Sequence, residues 1–151
     1  MFRKIVSGGQ TGVDRAALDF ALANGVRHGG WCPKGRRAED GVLDEKYNLH
    51  ETPRRDYRQR TRWNVRDSDG TLIIINLELS GGTRYTLEVA RKLDKSVLVV
   101  EEGGCGKEKE VLEWLERNDV QVLNVAGPRA SSEPGIYKKT LELLEVVYRL
   151  R

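Results

Sequence analysis

Three glycine-rich segments carry the residue types that hold phosphate. The first is Ser7-Gly8-Gly9-Gln10-Thr11-Gly12. The second is Leu79-Ser80-Gly81-Gly82-Thr83. The third runs from Asn124 through Gly127, Pro128, Arg129, Ser131 and Ser132 to Gly135. Each follows a short β-rich run and precedes a helical pattern. Glycine lets the backbone approach an oxyanion closely, and the free N–H groups of a helix start favour negative charge. Gly8 and Gly9 supply that backbone in the first loop, with Gln10 and Thr11 adding side-chain hydrogen bonds. Gly81 and Gly82 do so in the second, where Thr83 adds a hydroxyl and Thr86 follows one turn on. In the third, Gly127 leads to Arg129, whose guanidinium matches a phosphate or carboxylate bidentately, and to the hydroxyls of Ser131 and Ser132. That loop is long for such a connection, and long loops in compact domains are often functional. None of the three has the spacing of the dinucleotide fingerprint or the P-loop. The bland alternative is a tight turn at Gly8-Gly9 capped by Asp14, whose charge suits a helix start but opposes an anion beside it. A fourth turn, Gly103-Gly104-Cys105-Gly106, reads as a flexible connection.

Other chemistry-bearing residues are less organised. Arginines crowd residues 54–66, with Tyr57 and Trp63 among them. Stacking aromatics beside cations suggest nucleic acid, but the net charge of +3 and nearby Asp56, Asp67 and Asp69 argue against it. The better expectation is a solvated helix over about 56–67 that turns one or two arginines toward a ligand crevice. Thr61 and Asn64, three apart, share a face that also looks there. Lys34 joins the candidate ligand-binding set. His28 and His50 fit no triad or metal spacing, and nothing pairs Lys34, Glu51 or Glu88 as acid and base, so no catalytic residue and no metal site is assigned.

These loops need a scaffold that brings them together. Short β-rich runs at 4–7, 71–77, 96–100 and 120–125 alternate with helical segments. Val13, Ala16, Ala17, Phe20 and Ala21 make one helical apolar face. Tyr85, Val89 and Leu93 make another, as do Val111, Leu112 and Leu115, and finally Tyr137, Leu141, Leu144 and Tyr148. Alternating strands and helices predict an α/β fold of the Rossmann-like, doubly wound type, a mainly parallel sheet with helices on both faces. Leu72-Ile73-Ile74-Ile75 and Val97-Leu98-Val99-Val100 are apolar throughout, which predicts buried central strands. Residues 29–32 are a weaker strand candidate, and 33–53 read as loop.

With 151 residues, 38% hydrophobic and 32% charged, the chain has the size and balance of one globular domain spanning 1–151. No apolar run is long enough for a membrane span and the opening residues lack a signal-peptide pattern, so a cytoplasmic location is expected. Cys32 and Cys105 are expected as reduced thiols.

The motifs together resemble one family. They are 8–16, Gly30-Trp31-Cys32-Pro33-Lys34-Gly35, Ser68-Asp69-Gly70-Thr71, Gly81-Gly82-Thr83, and Ala126-Gly127-Pro128-Arg129 with Pro134-Gly135-Ile136-Tyr137. Across essentially the whole chain they are similar to the putative molybdenum carrier family, related to molybdenum cofactor carriers and remotely to lysine-decarboxylase-like phosphoribohydrolases. The resemblance implies a Rossmann-like fold, homo-oligomerisation, and binding of a nucleotide or of the molybdenum cofactor, a pterin with its phosphate and metal oxyanion. Phosphoribohydrolases of the wider group carry Pro-Gly-Gly-x-Gly-Thr-x-x-Glu. Aligning Thr83 with that threonine puts Thr86 where the glutamate stands, and a hydroxyl cannot stabilise an oxocarbenium-like centre as a carboxylate does. A non-catalytic carrier or binder is therefore the leading expectation. The alternative is a nucleoside 5′-monophosphate phosphoribohydrolase using Glu88 or Glu51, and RNA binding through residues 54–66 is a weaker third.

Overall fold

The computed structural model describes residues 1–101 and 107–151, so the glycine-rich turn with Cys105 lies outside the described residues. The elements in chain order are β1 (Lys4–Val6), α1 (Val13–Asn24), β2 (Arg27–Gly29), β3 (Trp31–Cys32), β4 (Arg37–Ala38), β5 (Gly41–Val42) and β6 (His50–Glu51). They continue with α2 (Tyr57–Arg66), β7 (Gly70–Ile75), α3 (Gly81–Lys92), β8 (Ser96–Glu101), α4 (Lys107–Arg117), β9 (Val122–Ala126) and α5 (Ile136–Leu150). Five strands form a parallel sheet in the order β2-β1-β9-β7-β8.

Right-handed crossovers decide where the helices go. The steps β1 to β2 and β8 to β9 cross the sheet in one direction, so α1 and α4 share a face; α5 packs against both. The steps β2 to β7 and β7 to β8 run the other way, and α2 and α3 pack together on the opposite face. The expected doubly wound fold is therefore present. Counting strands from β7 instead of β1 turns the sheet order into 2-1-3-4-5, one of the common doubly wound orders. The chain is thus a circular permutation of that arrangement, and its switch point falls between β7 and β9.

β7 is buried at every residue, as its sequence predicts. Leu72 and Ile74 enter the larger core with Phe20, Leu115 and Leu144, whereas Ile73 and Ile75 pack on the other face with Leu87. The period of two divides this one strand between two cores. The expectation of a second central strand fails for β8. Among the described residues it lies at the sheet edge with β7 its only neighbour, and residues 96–99 are half-buried while Val100 is buried. Its apolar run at 97–100 reflects helices over both faces. Face burial says nothing about whether a strand has neighbours on both edges.

Residues 29–32 do not form one strand. β2 pairs with β1, Gly30 takes φ +118°, and β3 pairs instead with β6. The stretch from 33 to 53 is mostly loop, tightened by the β4–β5 hairpin and by a small core of Leu18, Cys32, Leu43, Tyr47 and Leu49. Cys32 is fully buried and free. His28 accepts a hydrogen bond from the Asn48 N–H, and His50 lies beside the Trp31 ring, so both histidines have structural partners. Among the described residues no helix is long and apolar enough to cross a membrane.

Asp19 on α1 ties this stretch to α5. The Tyr47 and Tyr137 hydroxyls donate to its two carboxylate oxygens at 2.5 and 2.6 Å. Burial first, then these hydrogen bonds, push both phenols up, Tyr137 to about 12. A phenol bound more tightly to its proton when folded contributes stability that is complete below pH 10 and lost as pH rises through about 12. Phenolate absorbance at 295 nm should therefore show a late component that Tyr137→Phe and Tyr47→Phe each reduce. Urea unfolding should also separate the two apolar strands: Leu72→Ala should cost about 2–5 kcal/mol, and Val99→Ala at the edge clearly less.

Candidate functional site

The loops after β1, β7 and β9 meet in one crevice of about 870 Å³ at the carboxyl ends of the strands, beside the switch point. Gly8 and Gln10 come from the first loop, Ser80 to Thr83 and Thr86 from the second, and Gly127, Arg129, Ser131 and Ser132 from the third. α2 supplies the fourth wall with Tyr57, Arg60, Thr61 and Asn64, spaced as one helical face. Asp56 caps that helix by accepting from the Arg58 and Gln59 N–H groups. The expected arginines facing the crevice are Arg58 and Arg60.

The loops are not equivalent cradles. Gly8 is a glycine because the Arg60 guanidinium lies on it: a Cβ there would sit 1.7 Å from Arg60 Nη1. Gly127 is fixed by the meeting of β9, β7 and α1, where a Cβ would stand 2.4 Å from the Ile74 carbonyl oxygen. Gly9 lies against Leu43 and Leu49 and does not line the crevice. The start of α1 is also occupied from within the chain. Val13 N–H donates to Pro128 O at 3.2 Å, and the Asp14 carboxylate, which lines the crevice, accepts from Gln10 N–H. The start of α1 is therefore filled from within the chain, unlike the open loop expected there.

The start of α3 differs from it. Gly81 takes φ +52°, and among the described residues nothing beyond the chain neighbours and the helix's own backbone lies within 4 Å of where a Cβ would stand on Gly81 or Gly82. Among the described residues their N–H groups have no hydrogen-bond partner, Ser80 makes no side-chain cap, and the Thr83 hydroxyl, on a residue 8% exposed, is also unpaired. Four positions of the predicted set do other work. Thr11 donates to Glu39 and accepts from Ala130 N–H. Asn64 lines the crevice but holds Trp31, accepting from its N–H at 2.8 Å and donating to its carbonyl at 3.0 Å. The Thr86 hydroxyl donates to Gly82 O within its own helix. Lys34 is exposed and does not line the crevice; its N–H pairs with Arg54 O.

The sequence did not single out the pair that forms the floor. Arg60 Nη1 meets Asp14 Oδ2 at 2.9 Å, with side chains 13% and 5% exposed. Burial pushes the Asp14 carboxyl up, opposed by the Arg60 charge and hydrogen bond and by Gln10 N–H. Beside the pair, the buried Arg60 Nε and Gln10 Nε2 have no hydrogen-bond partner among the described residues. Unpaired buried donors of this kind favour an acceptor-rich ligand. The signal for Arg60 was its place three residues after Tyr57 on the crevice face of α2. The signal for Asp14 was absent, because a helix-start carboxylate usually serves as a solvated cap. Tyr57 links the walls, with the Arg60 and Arg129 guanidinium carbons 5.2 and 5.5 Å from its ring centre. Tyr85 receives Arg58 at 4.6 Å. Glu78 and Glu133 also line the crevice, Glu133 accepting from Asn76. Glu51 and Glu88 do not line it; Glu51 instead accepts from Gly35 N–H. Among the described residues no group of three or more His, Cys, Asp or Glu side chains is placed to hold a metal ion.

The floor has a measurable signature. Arg60→Met leaves a buried carboxylate unpaired and should cost about 3–5 kcal/mol in urea unfolding, much of it recovered when Asp14→Leu is added. Gly8→Ala should cost about 1–3 kcal/mol by driving the guanidinium off its seat.

The profile of the circularly permutated YpsA SLOG family matches residues 5–148. No curated protein matches the chain. The fold superposes on the 1.45 Å crystal structure of the "putative molybdenum carrier protein" from Syntrophus aciditrophicus SB. The TM-score is 0.93 and the identity 48%, covering 97% of this chain and 94% of that one. The permuted strand order agrees with the family description, and the resemblance drawn from the glycine motifs holds across the chain. The chain belongs to the circularly permutated YpsA SLOG family.

Proposed function

We propose that this chain is a molybdenum cofactor carrier-like protein that binds a small phosphate-bearing ligand, a nucleotide or a pterin, with the anion at the start of α3. The observation that carries this reading is the set of unpaired donors at Gly81, Gly82 and Thr83 opening on the crevice. Helix starts favour anions through both their N–H groups and their dipole. Arg58 and Arg129 add positive charge across the crevice, and Tyr57 and Tyr85 offer aromatic surface to a planar ring. A volume of about 870 Å³ lies within the range of small-molecule pockets. Molybdenum would arrive as part of the ligand, recognised through the phosphate of its pterin.

Binding is favoured over hydrolysis because Glu51 and Glu88 lie outside the crevice and Thr86 is bonded within its helix. Release of free base from AMP, lost in Glu133→Gln or Glu78→Gln, would reverse that order.

The test uses Gly82→Asp. The added side chain meets no atom of the described residues beyond its own helix, and its charge suits a helix start, so the variant should fold with an unchanged or higher melting midpoint. AMP or the molybdenum-free pterin phosphate at a hundred times its Kd should stabilise the wild type by about 2.7 kcal/mol. The carboxylate introduced by Gly82→Asp occupies the donors that the anion needs, and it should abolish that shift. A wild type that responds to neither ligand, nor to phosphate or molybdate, removes the proposal.

A further inference from the structure

The turn between β4 and β5 lies outside the crevice yet bonds to two of its walls. Glu39 Oε1 accepts from the Thr11 hydroxyl and from Ser131 N–H at 3.2 Å, and Oε2 accepts from the Ser131 hydroxyl at 2.6 Å. Its own N–H donates to Gln10 Oε1 at 2.8 Å. Thr11 completes the link by accepting from Ala130 N–H at 3.1 Å. One exposed side chain thus joins three segments that are distant in sequence, at residues 10–11, 39 and 130–131.

The turn has an anchor of its own. Arg15 on α1 forms a two-pronged pair with Asp40 at 3.0 and 3.1 Å, while also donating to Gly9 O at 3.0 Å. Arg15 lies 5.5 Å from the Tyr47 ring, whose hydroxyl is held by Asp19. Glu39 therefore projects from a fixed base.

We infer that the Glu39–Asp40 turn is a strap that holds Ala130 and Ser131, and with them Arg129, in place as the third wall of the crevice. Glu39 is a positioning residue that acts on the ligand through that wall. The role in binding rests on the crevice being the ligand site; the strap itself does not. The loop between β9 and α5 is pinned at its base, where Val13 N–H donates to Pro128 O, and fixing residues 130–131 as well removes their ordering cost from binding. The Ser131 hydroxyl first, and the Thr11 hydroxyl next, hold the Glu39 carboxyl below the usual range, as expected for a charged acceptor in steady use.

Amide hydrogen exchange on the full chain tests the strap. In Glu39→Ala, exchange at Ala130 and Ser131 should quicken at least tenfold while the amides of β7 keep their rates. Glu39→Gln retains a carbonyl acceptor for Thr11 and Ser131 and should restore most of the protection. AMP affinity should fall at least fivefold in Glu39→Ala and recover in Glu39→Gln, whereas inorganic phosphate, which reaches only the start of α3, should bind all three proteins alike. Unchanged exchange at Ala130 and Ser131 overturns the strap. Equal AMP affinity in wild type and Glu39→Ala overturns its role in binding. A wild type that binds no AMP counts against the proposed ligand site, and exchange alone then decides whether the strap exists.

Discussion

Crossover handedness is the constraint on which the rest of this molecule depends. A right-twisted parallel sheet accepts only right-handed connections, so the direction of each step across the sheet fixes the face its helix covers. With β9 placed between β1 and β7, the loops after all three strands are brought side by side. The permuted chain order leaves this geometry intact, since permutation moves the ends of the chain and not the neighbours of a strand. The crevice is therefore a property of the sheet order, and its chemistry a property of the loops.

The loops divide the labour unevenly. Two of them serve mainly to hold each other: Gly8 seats a guanidinium, Gly127 allows two strands and a helix to meet, and Val13 N–H closes on Pro128 O. Among the described residues the α3 start is left with open space and unpaired donors. The difference follows from position. α1 has β9 and its long loop beside it, whereas the start of α3 opens on the crevice itself. A buried Asp14–Arg60 pair between these regions gives the floor compensated charge, a costly arrangement that persists only with close pairing and hydrogen bonds.

The irregular residues from 33 to 53 belong to the same mechanical picture. Their small core and the Asp19 pair of tyrosine bonds make them a fitted part of the scaffold. Loop residues fixed this firmly can act at a distance, and the contacts of Glu39 show how a short turn reaches a wall it does not belong to.

The amino-acid sequence by itself determined the architecture, because strand and helix periodicities are local and short strands alternating with amphipathic helices admit few folds. It also determined that glycine-rich turns gather at one sheet edge, since in a doubly wound fold strand ends point one way. Only the tertiary structure decided which glycines line the crevice in open space and which are filled by neighbours. Glycine is demanded equally by an approaching anion, an approaching arginine and an approaching strand, and the sequence cannot say which neighbour comes. The same limit explains β8, whose apolar residues record covered faces but not an open edge. It explains Asp14, Arg60 and Glu39 as well: each acts through a partner at least 28 positions away, a distance at which no local pattern carries information.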